Sequence, residues 1–140
     1  MSFNFIYPGK IIFGNDSVKE LPQILPINSK VLLLTGKSAV NNGLASRIFE
    51  LLKVNNSVIN GLGMAVPEPP LESIDNIIEI GRKEHATAVV AVGGGSVIDS
   101  GKVAAAIIPR KGDIADYFYG KRNIETKGLF FAALPTTAGT

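Results

Sequence analysis

Residues 93–102 read Gly-Gly-Gly-Ser-Val-Ile-Asp-Ser-Gly-Lys and follow directly on the apolar run Ala88-Val89-Val90-Ala91-Val92. Binding an anion needs several backbone N–H groups aimed at one spot with no Cβ atoms in the way. A helix N-terminus supplies such groups together with a positive dipole end. Gly93, Gly94 and Gly95 remove the Cβ atoms, and Ser96 is where the helix is expected to open. The spacing is neither G-x-G-x-x-G nor the Gly-Lys-Ser/Thr ending of a P-loop, so the residues alone specify an anion at a helix N-terminus and nothing narrower. A ligand-free account competes with this one. Three glycines also serve a tight turn, Ser96 with Asp99 fits an N-cap and third-residue acid, and Asp99 with Lys102 fits a surface pair three residues apart.

Two more polar groups follow apolar runs. Thr136-Thr137-Ala138-Gly139-Thr140 comes after Leu129–Leu134, and its hydroxyls can serve a ligand or satisfy loop backbone. Gly36-Lys37-Ser38 comes after Val31–Thr35. A lysine and a hydroxyl there offer a charge and a donor to a phosphate, where a carboxylate would repel it. The alternative for Lys37 is a solvated loop side chain. His85, the single histidine, falls at a predicted helix end, where the helix dipole favours a cation, and is assigned no metal role. With no cysteine there is neither a disulfide framework nor a thiolate metal site.

The elements that must position these residues alternate along the chain. Val31–Thr35, Ala88–Val92 and Leu129–Leu134 are short continuous apolar runs, the signature of strands buried on both faces. Ser57–Asn60 is a weaker strand, and Ile11–Phe13 reads as another. Helices are predicted over Asn41–Lys53, from Leu71 to near His85, and over Val97–Ile107. A further helix opens on the capping-box match Ser17-Val18-Lys19-Glu20, with Pro22 awkwardly inside it. Pro67-Glu68-Pro69-Pro70 makes a rigid connection. Strands alternating with helices at this spacing predict an α/β fold: a Rossmann-like parallel sheet with right-handed crossovers and helices on both faces. The loops at Gly36, Pro67, Gly93 and Thr136 all follow strands, so they gather at the carboxyl edge of the sheet, where such folds bind ligands.

At 140 residues the chain is expected to form one domain, residues 1–140. Its 46% hydrophobic and 19% charged residues and mean hydropathy of +0.26 describe a globular chain on the apolar side. The net charge of +2, with no Lys/Arg cluster, argues against nucleic acid or an anionic membrane as partner. No signal-peptide pattern opens the chain and no apolar stretch approaches the ~18 residues of a membrane span, so a cytoplasmic location is expected.

Gly93-Gly-Gly-Ser-x-x-Asp-x-x-Lys102 followed by Thr136-Thr-Ala-Gly-Thr140 resembles the N-terminal region of the iron-dependent (group III) alcohol dehydrogenases. Ile12-Phe13-Gly14, Thr35-Gly36-Lys37, Pro67 to Pro70 and Gly112-Asp113-Ile114-Ala115-Asp116-Tyr117 extend the likeness over nearly the whole chain. Glycerol dehydrogenases and dehydroquinate synthases share the Gly-Gly-Gly turn, and usually lack the Ser-x-x-Asp-x-x-Lys continuation and the threonine segment. The resemblance implies a dehydroquinate synthase-like N-terminal fold and a nicotinamide dinucleotide across the strand ends. Backbone groups of Gly94, Gly95 and Ser96 would hold the pyrophosphate, Asp99 would sit towards the nicotinamide, and Thr136, Thr137 and Thr140 would line the nicotinamide end. Many family members carry an aspartate after the second strand, which binds the ribose hydroxyls. Gly36, Lys37 and Ser38 stand there instead, which favours NADP(H) over NAD(H). Glu68 departs from the asparagine often found between the prolines.

The family's reaction is hydride transfer between the nicotinamide and an aldehyde or alcohol. It is assisted by Fe²⁺ held by an aspartate and three histidines in a helical second domain. One histidine cannot supply that set, so no metal ligands and no catalytic residues are assigned within residues 1–140. The expected protein is the cofactor-binding portion, excised or naturally truncated and without turnover alone. Its sheet is expected to be incomplete, with an exposed edge or apolar surface inviting homo-oligomers. The alternative is a stand-alone nucleotide-binding or subunit-interaction module.

Overall fold

The computed structural model describes residues 9–138. Four parallel strands, β1 (Lys30–Gly36), β2 (Ser57–Ala65), β3 (Ala88–Gly93) and β4 (Phe130–Pro135), form one sheet in the order β2-β1-β3-β4. The helices are α1 (Leu21–Ile24), α2 (Lys37–Asn41), α3 (Leu44–Lys53), α4 (Leu71–Lys83), α5 (Gly95–Ile107) and α6 (Ile114–Phe118). The two-residue period of the central strands sorts their side chains into two cores. Leu32, Leu34, Val89 and Ala91 meet Ile77 and Ile78 of α4 and Ala104 and Ile107 of α5 on one face. Val31, Leu33, Val90 and Val92 meet Leu21 of α1 and Ile48 and Leu52 of α3 on the other. Burial on both faces is why β1 and β3 read as unbroken apolar runs, each large side chain contributing roughly 1.5–3 kcal/mol. No helix among the described residues is long and apolar enough to cross a membrane.

Several elements depart from the sequence expectation, each for a local reason. The helix expected over Asn41–Lys53 starts three residues later, at Leu44, because Gly43 takes a left-handed conformation (φ 81°). The residues before it, Lys37–Asn41, form the separate short helix α2 where a loop was expected. β2 runs five residues past Asn60, to Ala65. Its pairing with β1 shifts register between Leu34 and Gly36, and the buried Thr35 hydroxyl accepts the Gly63 N–H at 2.9 Å where the regular pairing fails. Ile11–Phe13 is not a strand: Phe13 is 99% exposed, and no strand pairs with the segment among the described residues. Ser17–Glu20 forms a 3₁₀ turn and not the start of a capped α-helix. The carboxylate that precedes it, Asp16, is taken by Lys19 at 2.9 Å and Arg47 at 3.1 Å, which hold it below the usual carboxylate range. Pro22 proves well placed, in the first turn of α1 where a missing N–H costs nothing. β4 is an edge strand, only half-buried, whose outer side is unpaired among the described residues.

The end of α4 shows how tightly the chain turns back into the sheet. The Ala86 N–H donates to Gly81 O at 2.8 Å and the His85 N–H to Arg82 O at 3.1 Å, a Schellman closure with His85 left-handed at φ 57°. His85 thus occupies the position where glycine fits best. Replacing His85 with glycine should raise stability by about 1 kcal/mol, a few degrees in Tm. A thermal melt that shows no gain would mean that the imidazole contributes as much as the strain it imposes.

Arg82, the penultimate residue of α4, fixes α5 from its far end. Its guanidinium donates to the carbonyls of Ile107 (3.2 Å), Ile108 (3.4 Å), Arg110 (2.6 Å) and Gly112 (2.7 Å), and to Glu79 at 2.8 Å. These carbonyls lie at the C-terminus of α5 and in the turn beyond it, where a cation is favoured; that of Ile107 also accepts the Arg110 N–H at 2.9 Å. Gly112 (φ 90°) then leads into α6, whose first N–H, from Ile114, is accepted by Asp75 of α4 at 2.8 Å.

Candidate functional site

From β1 the chain crosses to β2 on one side, and β3 returns to the other side of β1. The point where the sheet order reverses therefore lies between the carboxyl ends of β1 and β3, the place where open α/β sheets leave a crevice. A cleft of about 70 Å³ lies there, lined by Gly36, Ser38, Ala39, Asn42, Gly93, Gly94, Val97 and Thr136. The N–H of Thr136 donates to Gly93 O at 3.0 Å and ties the end of β4 to the glycine turn.

The three glycines do different things. None of them has left-handed backbone, so the turn does not use their conformational freedom. Gly93 is required by packing, since a Cβ there would lie 2.5 Å from Val97 Cγ2. A Cβ at Gly94 would meet only Thr137, at an ordinary 3.7 Å, and one at Gly95 would meet nothing within 4 Å among the described residues. The chain's own packing thus requires one glycine, would tolerate a side-chain atom against Thr137 at the second, and leaves open space over the third. α5 starts here, with Gly94 as N-cap and no side chain capping it. The N–H groups of Val97 and Ile98 return to Gly94 O, while those of Gly95 and Ser96 find no acceptor among the described residues. The N-cap role expected of Ser96 is therefore overturned: it is the second residue of the helix, one turn ahead of Ser100, whose hydroxyl donates to Ser96 O at 2.8 Å.

The remaining candidates divide between cleft and surroundings. Gly36 is the N-cap of α2, and Ser38 lies on the cleft wall. Lys37 opens α2 with an exposed side chain. Asp99 is exposed one turn into α5, off the cleft lining, with its carboxylate accepting from Lys102 Nζ at 3.1 Å. That is the surface pair the sequence allowed. Thr136 lines the cleft, Thr137 stands beside Gly94, and Thr140 lies outside the described residues. Asn42 and Val97 were not singled out from the sequence. Asn42 follows Ser38 by four residues, one helical turn, and that spacing is the signal that could have found it.

A larger and more open groove, about 690 Å³, lies at the opposite end of the sheet, between the Leu25–Asn28 turn and Lys53–Ser57. It lies at the amino ends of β1 and β2 and has no glycine turn or helix N-terminus facing it, so the smaller cleft is the better site. No group of three His, Cys, Asp or Glu side chains that could hold a metal occurs among the described residues.

A parallel α/β sheet with an open glycine cradle at its reversal point defines the dinucleotide-binding class of fold. The family model of the iron-containing alcohol dehydrogenases matches residues 8–140, and the chain belongs to that family. It is 33% identical to the NADH-dependent butanol dehydrogenase A of Clostridium acetobutylicum, over 100% of this chain and 36% of that protein. It is 31% identical to the NADPH-dependent aldehyde reductase YqhD of Escherichia coli, over 75% of this chain and 27% of that one. The crystal structure of sulfoacetaldehyde reductase from Bifidobacterium kashiwanohense in complex with NAD+ superposes with a TM-score of 0.84 at 33% identity, covering 100% of this chain and 37% of that one. The chain thus spans about a third of the length of the relatives it matches, and both NADH- and NADPH-dependent enzymes are among them.

Proposed function

We propose that this chain is the nicotinamide-dinucleotide-binding part of an oxidoreductase acting between an aldehyde and an alcohol, and that it takes NADP(H) in preference to NAD(H). The observation that carries the nucleotide reading is the open space over Gly95, where a Cβ would meet nothing within 4 Å among the described residues, beside the free N–H groups that start α5. The free N–H groups of Gly95 and Ser96, with the backbone of Gly94, would receive the pyrophosphate at the N-terminus of α5. Thr136, Thr137 and Thr140 would line the nicotinamide end, with Asp99 on the same side. The bound nucleotide supplies the hydride. What these residues do is hold it in one orientation and keep its phosphates off the apolar wall of Val97. The described residues do not fit the family's iron, so no step of the reaction is derived through a metal.

The cofactor preference rests on the end of β1. No carboxylate lines the cleft, and Lys37 and Ser38 are exposed beside Gly36, able to meet a 2′-phosphate with a charge and a hydroxyl. Gly36→Asp should reverse the preference. A Cβ at Gly36 comes within 3.3 Å of Val97 Cγ2, so that methyl must move by a few tenths of an ångström. NADPH affinity is expected to fall about tenfold or more while NADH is held at least as well. Calorimetric titration of both nucleotides into wild type and variant decides it: equal affinities in the wild type, or an unchanged ratio in the variant, would defeat the assignment.

A further inference from the structure

We infer that Asn42 is a specificity-determining residue of the same cleft, presenting an amide N–H donor to the 2′-phosphate side of the nucleotide; the inference rests on the nucleotide reading above. Asn42 lines the cleft together with Ser38. The two are one helical turn apart, and the Asn42 N–H donates to Ser38 O at 3.1 Å, so their side chains leave the same side of α2. Which end of an asparagine amide faces a ligand is normally ambiguous, but here the chain decides it. The Leu44 N–H, which can only donate, is 3.1 Å from Asn42 Oδ1. The oxygen is therefore committed to the backbone at the start of α3. The NH₂ group is left over, and it has no partner among the described residues.

The chemistry of the wall follows from that commitment. Ser38 can donate, Lys37 beside it only donates, Asn42 has only donors to offer, and the cleft lining holds no carboxylate. A wall rich in donors and without a carboxylate suits a group that only accepts and carries negative charge. The 2′-phosphate presents three acceptor oxygens carrying charge, and each hydrogen bond to it is charge-assisted. A ribose hydroxyl in the same place uses one lone pair and must also find an acceptor for its own proton. Among the lining side chains only the neutral hydroxyls of Ser38 and Thr136 can take it, with no carboxylate to make that bond a charge-assisted one. Asn42 thus discriminates by the same logic as Lys37 and Ser38, but from a residue whose orientation is fixed by the helix junction at Gly43.

Asn42→Asp tests the inference with little disturbance to the fold. One carboxylate oxygen still accepts the Leu44 N–H, while the other replaces the amide donor with a negative charge. Calorimetry on the full chain should show the NADPH Kd rising about tenfold or more, with the NADH Kd changing less than about threefold. Should the aspartate variant fail to fold, Asn42→Ser retains an acceptor for Leu44 and removes the NH₂ group. The NADPH Kd should then rise about threefold, with NADH unaffected. An NADPH-to-NADH ratio equal to that of the wild type in a folded variant overturns the role of Asn42, and leaves the nucleotide site standing if the wild type binds. A wild-type chain that binds neither nucleotide overturns the site itself, and this inference with it.

Discussion

Gly95→Asp is expected to weaken nucleotide binding about a hundredfold, roughly 2.7 kcal/mol, while leaving the fold as stable as before or slightly more so. The two halves of that result come from one location. A side chain at Gly95 meets no atom of the described chain within 4 Å, and its backbone is not left-handed, so nothing in the fold resists it. A carboxylate in the first turn of a thirteen-residue helix interacts favourably with the dipole, by about 0.3–1 kcal/mol. The same carboxylate occupies the position proposed for the pyrophosphate and repels it. Thermal melts and calorimetry on one preparation read both effects. If affinity survives, the phosphates do not lie over Gly95; if stability collapses, the glycine turn serves the fold and the open cradle is incidental.

Arg82→Met should cost about 3 kcal/mol of stability, a fall in Tm on the order of 10 °C. Methionine keeps much of the aliphatic stem but removes every donor. Four carbonyls at the end of α5 and in the turn to α6 then lose the cation that gathers them, and Ile107 and Ile108 beside them belong to the core. Partial burial makes these bonds worth more than surface ones. The Arg82–Glu79 pair adds little, because Glu79 is exposed. Urea denaturation gives the number directly. A loss below about 1 kcal/mol would mean that water replaces the guanidinium at all four carbonyls. Arg82→Lys should recover only part of the loss, since one ammonium cannot match a planar fork with several donors.

The central architecture was legible because it rests on side-chain pattern. The short apolar runs Val31–Leu34 and Ala88–Val92, each leading into a glycine turn, read as strands buried on both faces, and the Ile74, Ile77, Ile78 stripe marks the helix face that packs on them. The misreadings all lie where backbone conformation or a distant partner decides. Gly43 looks harmless within an amphipathic pattern, yet its left-handed turn delays the start of α3 to Leu44 and separates it from the short α2. Ser17 carries every local mark of an N-cap, but an ion pair to Arg47, from α3, helps hold the preceding Asp16 in place. Phe130 and Phe131 are as apolar as the inner strands, and only the strand order reveals an edge. At the site the same division holds. Gly36 and Gly93 were placed together by the rule for parallel sheets, and Thr136 came with them. That Ser96 sits inside the helix and not at its cap depends on backbone hydrogen bonds to Gly94 that no local pattern announces. Asn42, by contrast, joins the wall through a one-turn spacing from Ser38 that shows only once α2 is known to be a helix.

The close seating of α5 has a kinetic meaning. A Cβ at Gly101 would lie 2.6 Å from Ala91 Cβ, and Val97 presses on Gly93 at the other end of the same turns, so the helix cannot slide or tilt on β3 without collision. The amides that face the cleft are consequently held in their working positions before any ligand arrives. On the proposed nucleotide reading, capture would need no rearrangement of the loop, and association would be governed by diffusion and orientation. Differences in affinity between one nucleotide and another should accordingly appear in how long each stays, not in how fast it enters.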